Sequence, residues 1–211
     1  MQGKVNVEDL SEEWILGEIE KIKYTYGLNK VIRYNLNRDN EKLPTQSVAE
    51  HVYNMLILAH YFRDLEDPEH RLDFEKVTEM ILMHDMGEIE TGDIIMSEKT
   101  QQDNEIELSK LSNVMKNSPN FVKSNISALF NEFESLNTPE GRFAKAIDKI
   151  ESQFWFGVVC NLEMIKSQNT KEARVKNQEK RREIYANCGF LIIAKFGEVI
   201  YQETVKNGIL E

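Results

Sequence analysis

The stretch ILMHDMGEIETGD, Ile81 to Asp93, sets a histidine beside an aspartate, with Glu88, Glu90 and Asp93 following. An apolar run of Phe74, Val77, Ile81 and Leu82 leads straight into it at helical spacing. On one helix from Phe74 to Glu88, His84 and Glu88 are i and i+4, and Asp85 and Glu88 are i and i+3. The three then project to one side of the helix end. Burying bare carboxylates is costly unless a partner compensates. No Lys or Arg lies between Ile81 and Asp93. A solvated helix C-terminus fits poorly, because acids there oppose the helix dipole. A divalent cation is the simplest partner. An imidazole and carboxylate mix suits manganese, iron, cobalt or zinc without selecting one.

The rest of the chain narrows the setting. Its 211 residues are 41% hydrophobic, enough to bury a core, and four prolines and ten glycines argue against disorder or a β-rich fold. The net charge of −10 gives no global basic field for nucleic acid or an anionic membrane. An anionic substrate therefore needs local positive charge. Cys160 and Cys188 are too few for a disulfide framework, and Cys160, in GVVCNL, reads as a core residue. The acidic N-terminus is unlike a signal peptide, and no apolar run is long enough to span a bilayer. The expectation is a soluble cytoplasmic protein.

Periodicity predicts helices nearly throughout. Trp14, Ile15, Ile19 and Ile22 share a face near Leu10 and Gly17. Val48, Val52, Met55, Leu56, Ala59 and Phe62 form a second stripe. A polar helix spans about Glu105 to Met115. Ser118-Pro119 and Thr138-Pro139 each place a cap before a proline, opening helices over about Pro119–Leu136 and Pro139–Lys166. The last segment, about Lys171–Lys206, is charged at first and apolar from Gly189 to Tyr201; that apolar run is core or interface. Connections fall at Asn29–Thr45, Leu65–Arg71 and Gly92–Asp103. No linker divides two cores, so the expected architecture is one all-α domain, residues 1–211, a helical bundle.

Of four histidines, helical geometry turns His51 and His84 inward. His60 faces elsewhere and His70 sits in an acidic loop. A further ligand should come from another helix. Asp148, beside the stripe Phe143, Ile147, Ile150 and Phe154, is the candidate, and a weak one on spacing alone.

At this point the chain resembles the HD-domain metal-dependent phosphohydrolases, whose pattern H…HD…D is matched in order by His51, His84-Asp85 and Asp148. It is similar above all to the 5'-nucleotidase (5'-deoxynucleotidase) branch. Ser47-Val48-Ala49-Glu50-His51 matches that branch's S-V-x-E-H start. His84-Asp85-Met86-Gly87-Glu88 through Gly92-Asp93 matches H-D-x-x-E-x-x-x-G-D, and Arg33-Tyr34 its arginine–aromatic segment. The likeness covers about Leu28 to Trp155.

The resemblance implies one divalent metal (Mn, Co, Fe, Zn or Mg) on His51, His84, Asp85 and Asp148. It also implies Glu88 and Asp93 as proton-handling acids, Arg33 as the phosphate holder, and a homodimer. The implied reaction is release of phosphate from (deoxy)nucleoside 5'-monophosphates by a metal-activated water. The alternatives are an HD phosphohydrolase on another nucleotide or phosphoester, or a non-catalytic nucleotide- and metal-binding module. The chain departs from the branch in three places. The Arg33–His51 stretch is longer, Arg38 competes with Arg33, and Tyr34 stands where a tryptophan is expected. Lys149 is equally a surface lysine or a phosphate contact. Lys99 to Asn117 reads as a solvated helix, and Glu90 as a solvated acid.

Overall fold

Several helix starts are written in the chain as caps. The computed structural model describes residues 11–33, 45–94, 100–119, 126–159 and 170–209. Helix α1, Glu12–Thr25, begins at Ser11, whose hydroxyl accepts from the Trp14 N–H. Its apolar face stays exposed, Trp14 at 49%. A 3₁₀ turn, Tyr26–Asn29, follows. Helix α2, Val48–Glu66, buries Val48, Val52, Met55, Ala59 and Phe62 along the expected stripe. Asp73 caps α3, Phe74–Met83, by accepting from the Lys76 N–H.

Helix α3 stops at Met83 and does not run on to Glu88. Residues 84–87 form turns in which Met86 N–H donates to Met83 O and Glu88 N–H to Asp85 O. A four-residue helix, α4, Glu88–Thr91, follows. Helix α5, Gln101–Asn117, starts earlier than its apolar residues indicate, because Thr100 and Asp103 form a reciprocal capping box. Ser118 ends α5. The helix expected from Pro119 is described as α6, Ile126–Ser135; residues 120–125 lie outside the described residues.

Thr138 and Pro139 open α7, Pro139–Phe154, as expected. The helix continues as a π-helical turn, Trp155–Val159. Its expected end near Lys166, and Cys160, lie outside the described residues, as do Leu10, Tyr34 and Arg38. The last segment is two helices, α8, Lys171–Cys188, and α9, Leu191–Lys206. Gly189 divides them at φ 81, a left-handed position that ends a helix and favours glycine.

Helix α7 is the centre of the bundle. Helices α2, α3, α6, α8 and α9 all pack against it. Phe62, Met55, Met80, Ile81, Phe143, Ile147, Ile150 and Ile193 are fully buried among them. Each such side chain contributes about 1.5–3 kcal/mol by leaving water. The described residues hold no strand, only one antiparallel bridge between Ile32 and Ser47. No described helix is long and apolar enough to cross a membrane.

Candidate metal centre

Three elements bring the site together. The Ser47–Glu50 capping box starts α2, so His51 falls one turn in, facing α7. His84 caps the end of α3 and Asp85 lies in the turn after it. Asp148 comes from the middle of α7. His51 and His84 are buried, their ring centroids 5.7 Å apart. His60 is exposed against Phe74, and His70 is exposed in the loop after α2.

Each histidine is held through Nδ1. That of His51 lies 2.5 Å from Glu151 Oε2, and that of His84 lies 2.9 Å from the Ile81 carbonyl oxygen. Both Nε2 atoms are therefore turned to the carboxylates. His84 Nε2 is 3.0 Å from Asp85 Oδ2, and His51 Nε2 is 3.9 Å from the same oxygen. Both Nε2 atoms are buried without a hydrogen-bond partner of sound geometry. Such orphans are expensive unless something else binds them. One ligand atom each from His51, His84 and Asp85 lie within 4.8 Å of one another, so these residues could hold a metal ion. Imidazole tied through one nitrogen and presenting the other is how histidine is oriented toward a metal. Asp148 flanks the trio, Oδ1 3.4 Å from His51 Nε2 and Oδ2 2.6 Å from Lys149 Nζ.

The electrostatics follow from these contacts. Burial pushes the Asp148 carboxyl up, but Lys149 and His51 outweigh it and hold it well below its usual range. Asp85 is likewise held low by His84 and His51 against its burial. For His51, burial and Arg33 press toward the neutral ring, and Glu151 with Asp148 prevail, leaving its pKa above the ordinary value.

A cavity of about 440 Å³ opens beside the trio. His84, Asp85, Glu88, Asp93 and Asp148 line it on one side, with Arg33. Gly92 makes the approach of Asp93 possible. It sits at φ 75, ψ 166, a region essentially reserved for glycine. Asp93 Oδ1 then lies 3.9 Å from Arg33 Nε. The Arg33 guanidinium forms part of the wall. Its Nη1 donates to Gln46 Oε1 at 3.1 Å and Glu151 Oε2 at 3.2 Å. Glu90 is not merely solvated, because the Tyr24 hydroxyl donates to it at 2.5 Å.

A family model described as HD domain matches residues 27–187. The chain belongs to the HD-domain family. Among relatives, 5'-deoxynucleotidase hdd1 of Schizosaccharomyces pombe is 32% identical over 112 residues, covering 50% of this chain and 54% of its own. The human 5'-deoxynucleotidase HDDC2 is 26% identical over 111 residues, 50% of each chain. The chain thus spans about half the length of these curated relatives. The crystal structure of a predicted metal-dependent phosphohydrolase from Magnetospirillum magnetotacticum superposes with a TM-score of 0.71 at 20% identity, covering 95% of this chain and 98% of the other. An HD-domain phosphohydrolase from Listeria innocua gives 0.64 at 21% identity, covering 90% of each. At such identities the likeness is one of fold.

Two parts of this HD domain escaped the sequence reading. Glu151, 2% exposed, lies against His51 and Arg33. The signal was there: it follows Asp148 by three residues, an acid in the same apolar helix. The second part is a group of basic residues that line the cavity beside Lys149, namely Lys145 from α7 with Lys180 and Arg181 from α8, set among Glu134 and Glu183, with Lys145 Nζ donating to Glu134 Oε1 at 2.9 Å. In sequence α8 looks like a solvated charged helix, and only its packing against α7 turns one face to the site. Lys149 is a cavity residue, its side chain 16% exposed.

Proposed function

We propose that this chain is a metal-dependent phosphohydrolase that releases phosphate from nucleoside 5'-monophosphates, deoxynucleotides among them. The observation that carries the reading is the pair of buried Nε2 atoms of His51 and His84, turned toward Asp85 and Asp148 without a sound hydrogen bond, beside a cavity whose lining includes Arg33, Lys145, Lys149, Lys180 and Arg181. His51, His84, Asp85 and Asp148 would hold the ion. A bound divalent ion supplies charge that polarises a phosphoryl oxygen and brings the pKa of a water to about 7. Manganese, cobalt, iron and zinc suit this donor set, magnesium less so.

The chain's own residues do the rest. Glu88 and Asp93 border the cavity and are the acids that take a proton from the attacking water and return one to the leaving 5'-oxygen. Arg33, Lys145, Lys149, Lys180 and Arg181 attract and orient the phosphate dianion. The naming of the relatives as 5'-deoxynucleotidases supports a nucleotide as the carrier of that phosphate. The same reading includes a single HD domain of residues 1–211, a cytoplasmic setting and a homodimer. The exposed stripe Tyr53, Ile57, Tyr61 and Leu65 on α2 supports the dimer, and light scattering at twice 24.6 kDa would bear it out.

The test is product analysis. Protein refilled with manganese or cobalt is offered a panel of ribo- and deoxyribonucleoside monophosphates. The expected products are nucleoside and inorganic phosphate. Pyrophosphate or a nucleotide product from another substrate would favour a different HD phosphohydrolase. Nucleotide binding without product would make the chain a binding module.

A further inference from the structure

We infer that Glu151 is a positioning residue that holds the metal ligand His51 and the phosphate-binding Arg33 in register through one carboxylate, a role that rests on the function proposed above. Four donors converge on this buried side chain. They are His51 Nδ1 at 2.5 Å, Gln46 Nε2 at 2.6 Å, Arg33 Nη1 at 3.2 Å and Asn54 Nδ2 at 3.2 Å. Gln46 Oε1 in turn accepts from Arg33 Nη1 at 3.1 Å, closing a ring of three side chains. The backbone keeps that ring in place, because Arg33 N–H donates to the Gln46 carbonyl at 2.9 Å.

Two consequences follow from one carboxylate serving both partners. Donation from Nδ1 makes Nε2 the lone-pair nitrogen of His51, and Nε2 is the atom that faces Asp85 and Asp148. The negative charge of Glu151 also stands between the Arg33 guanidinium and the imidazole. It lowers the repulsion between that cation and a metal-bound ring in a closed, poorly screened space.

The experiment uses the full chain and three readouts: calorimetric affinity for Mn²⁺, affinity for inorganic phosphate, and ¹⁵N spectra of the histidines in zinc-loaded protein. Glu151→Gln should weaken Mn²⁺ binding about 10–100-fold, and weaken phosphate binding as well. Gln46→Met, which removes one donor from Glu151 and one acceptor from Arg33 but leaves the His51 contact in place, should weaken phosphate binding more than Mn²⁺ binding. In the wild-type spectrum His51 should carry its proton on Nδ1, and that spectrum decides the orientation even if a variant does not fold. Wild-type Mn²⁺ affinity in Glu151→Gln, or a His51 protonated on Nε2, overturns the positioning role and leaves the proposed function standing. A wild-type protein that binds no Mn²⁺ overturns both.

Discussion

His51 and His84 are fixed from behind, one by a carboxylate and one by a backbone carbonyl, and each offers Nε2 forward. The carboxylates around them give a pH dependence with a definite sign. Asp85, Asp148 and Glu151 are all held low in the folded chain. Their stabilisation is fully present above the unfolded values of about 4 and is lost as pH falls through the lower folded values. His51 is raised, so its contribution is full below about 6.5 and is lost as pH rises through its folded pKa. Metal-free protein should therefore melt highest in the mildly acidic range, and its melting temperature should fall on both sides. Melting curves of chelator-treated protein check this; a flat acid limb would contradict it. His51, His84 and Asp85 were legible in the sequence because inward spacing and the lack of a neighbouring cation single them out. For Glu151 the sequence shows only an acid three residues after Asp148 in the same apolar helix; its role was hidden because its partners, Arg33, Gln46, His51 and Asn54, are about a hundred residues away in sequence.

Elements deliver those residues, and short sequence devices set the elements. The S-V-x-E-H start is a capping box, which explains why Ser47 and Glu50 accompany His51: together they fix where α2 begins. The early end of α3 was hidden, because the apolar period alone does not record a turn made by 84–87. What the sequence did carry was Gly92. Gly92→Ala places a side chain at φ 75, where it is strained whatever the space around it. The expected cost is about 1–3 kcal/mol, together with a fall in phosphate release as Asp93 loses its approach to Arg33. Denaturant melts and turnover of the same preparation check both; unchanged turnover would remove Asp93 from the mechanism. The division at Gly189 was equally present in the chain, but a glycine in a charged-to-apolar transition does not by itself declare a left-handed cap.

At the scale of the molecule, α7 serves as core and as site. Its apolar stripe meets α2, α3, α6, α8 and α9, and the adjoining face presents Asp148 and Glu151. The amphipathic pattern of this helix was readable, whereas the helices surrounding it were not, since chain-distant packing leaves no local mark. Ile147 is fully buried one residue before Asp148. Ile147→Ala should cost about 2–5 kcal/mol, and metal affinity should fall with it because the same helix carries the flanking carboxylate. Loss of stability with unaltered metal affinity would separate the two roles. Helix α8, basic in a chain of net charge −10, completes the cavity only through its docking on α7.

The function proposed above requires an ion held by His51, His84 and Asp85 beside the cavity. Its most direct test is phosphate release from deoxynucleoside monophosphates by chelator-treated protein before and after adding back Mn²⁺, in wild type and Asp85→Asn. The expected outcome is no release before addition, recovery in the wild type, and none in Asp85→Asn. Full release by the stripped protein, or equal recovery in Asp85→Asn, would contradict it.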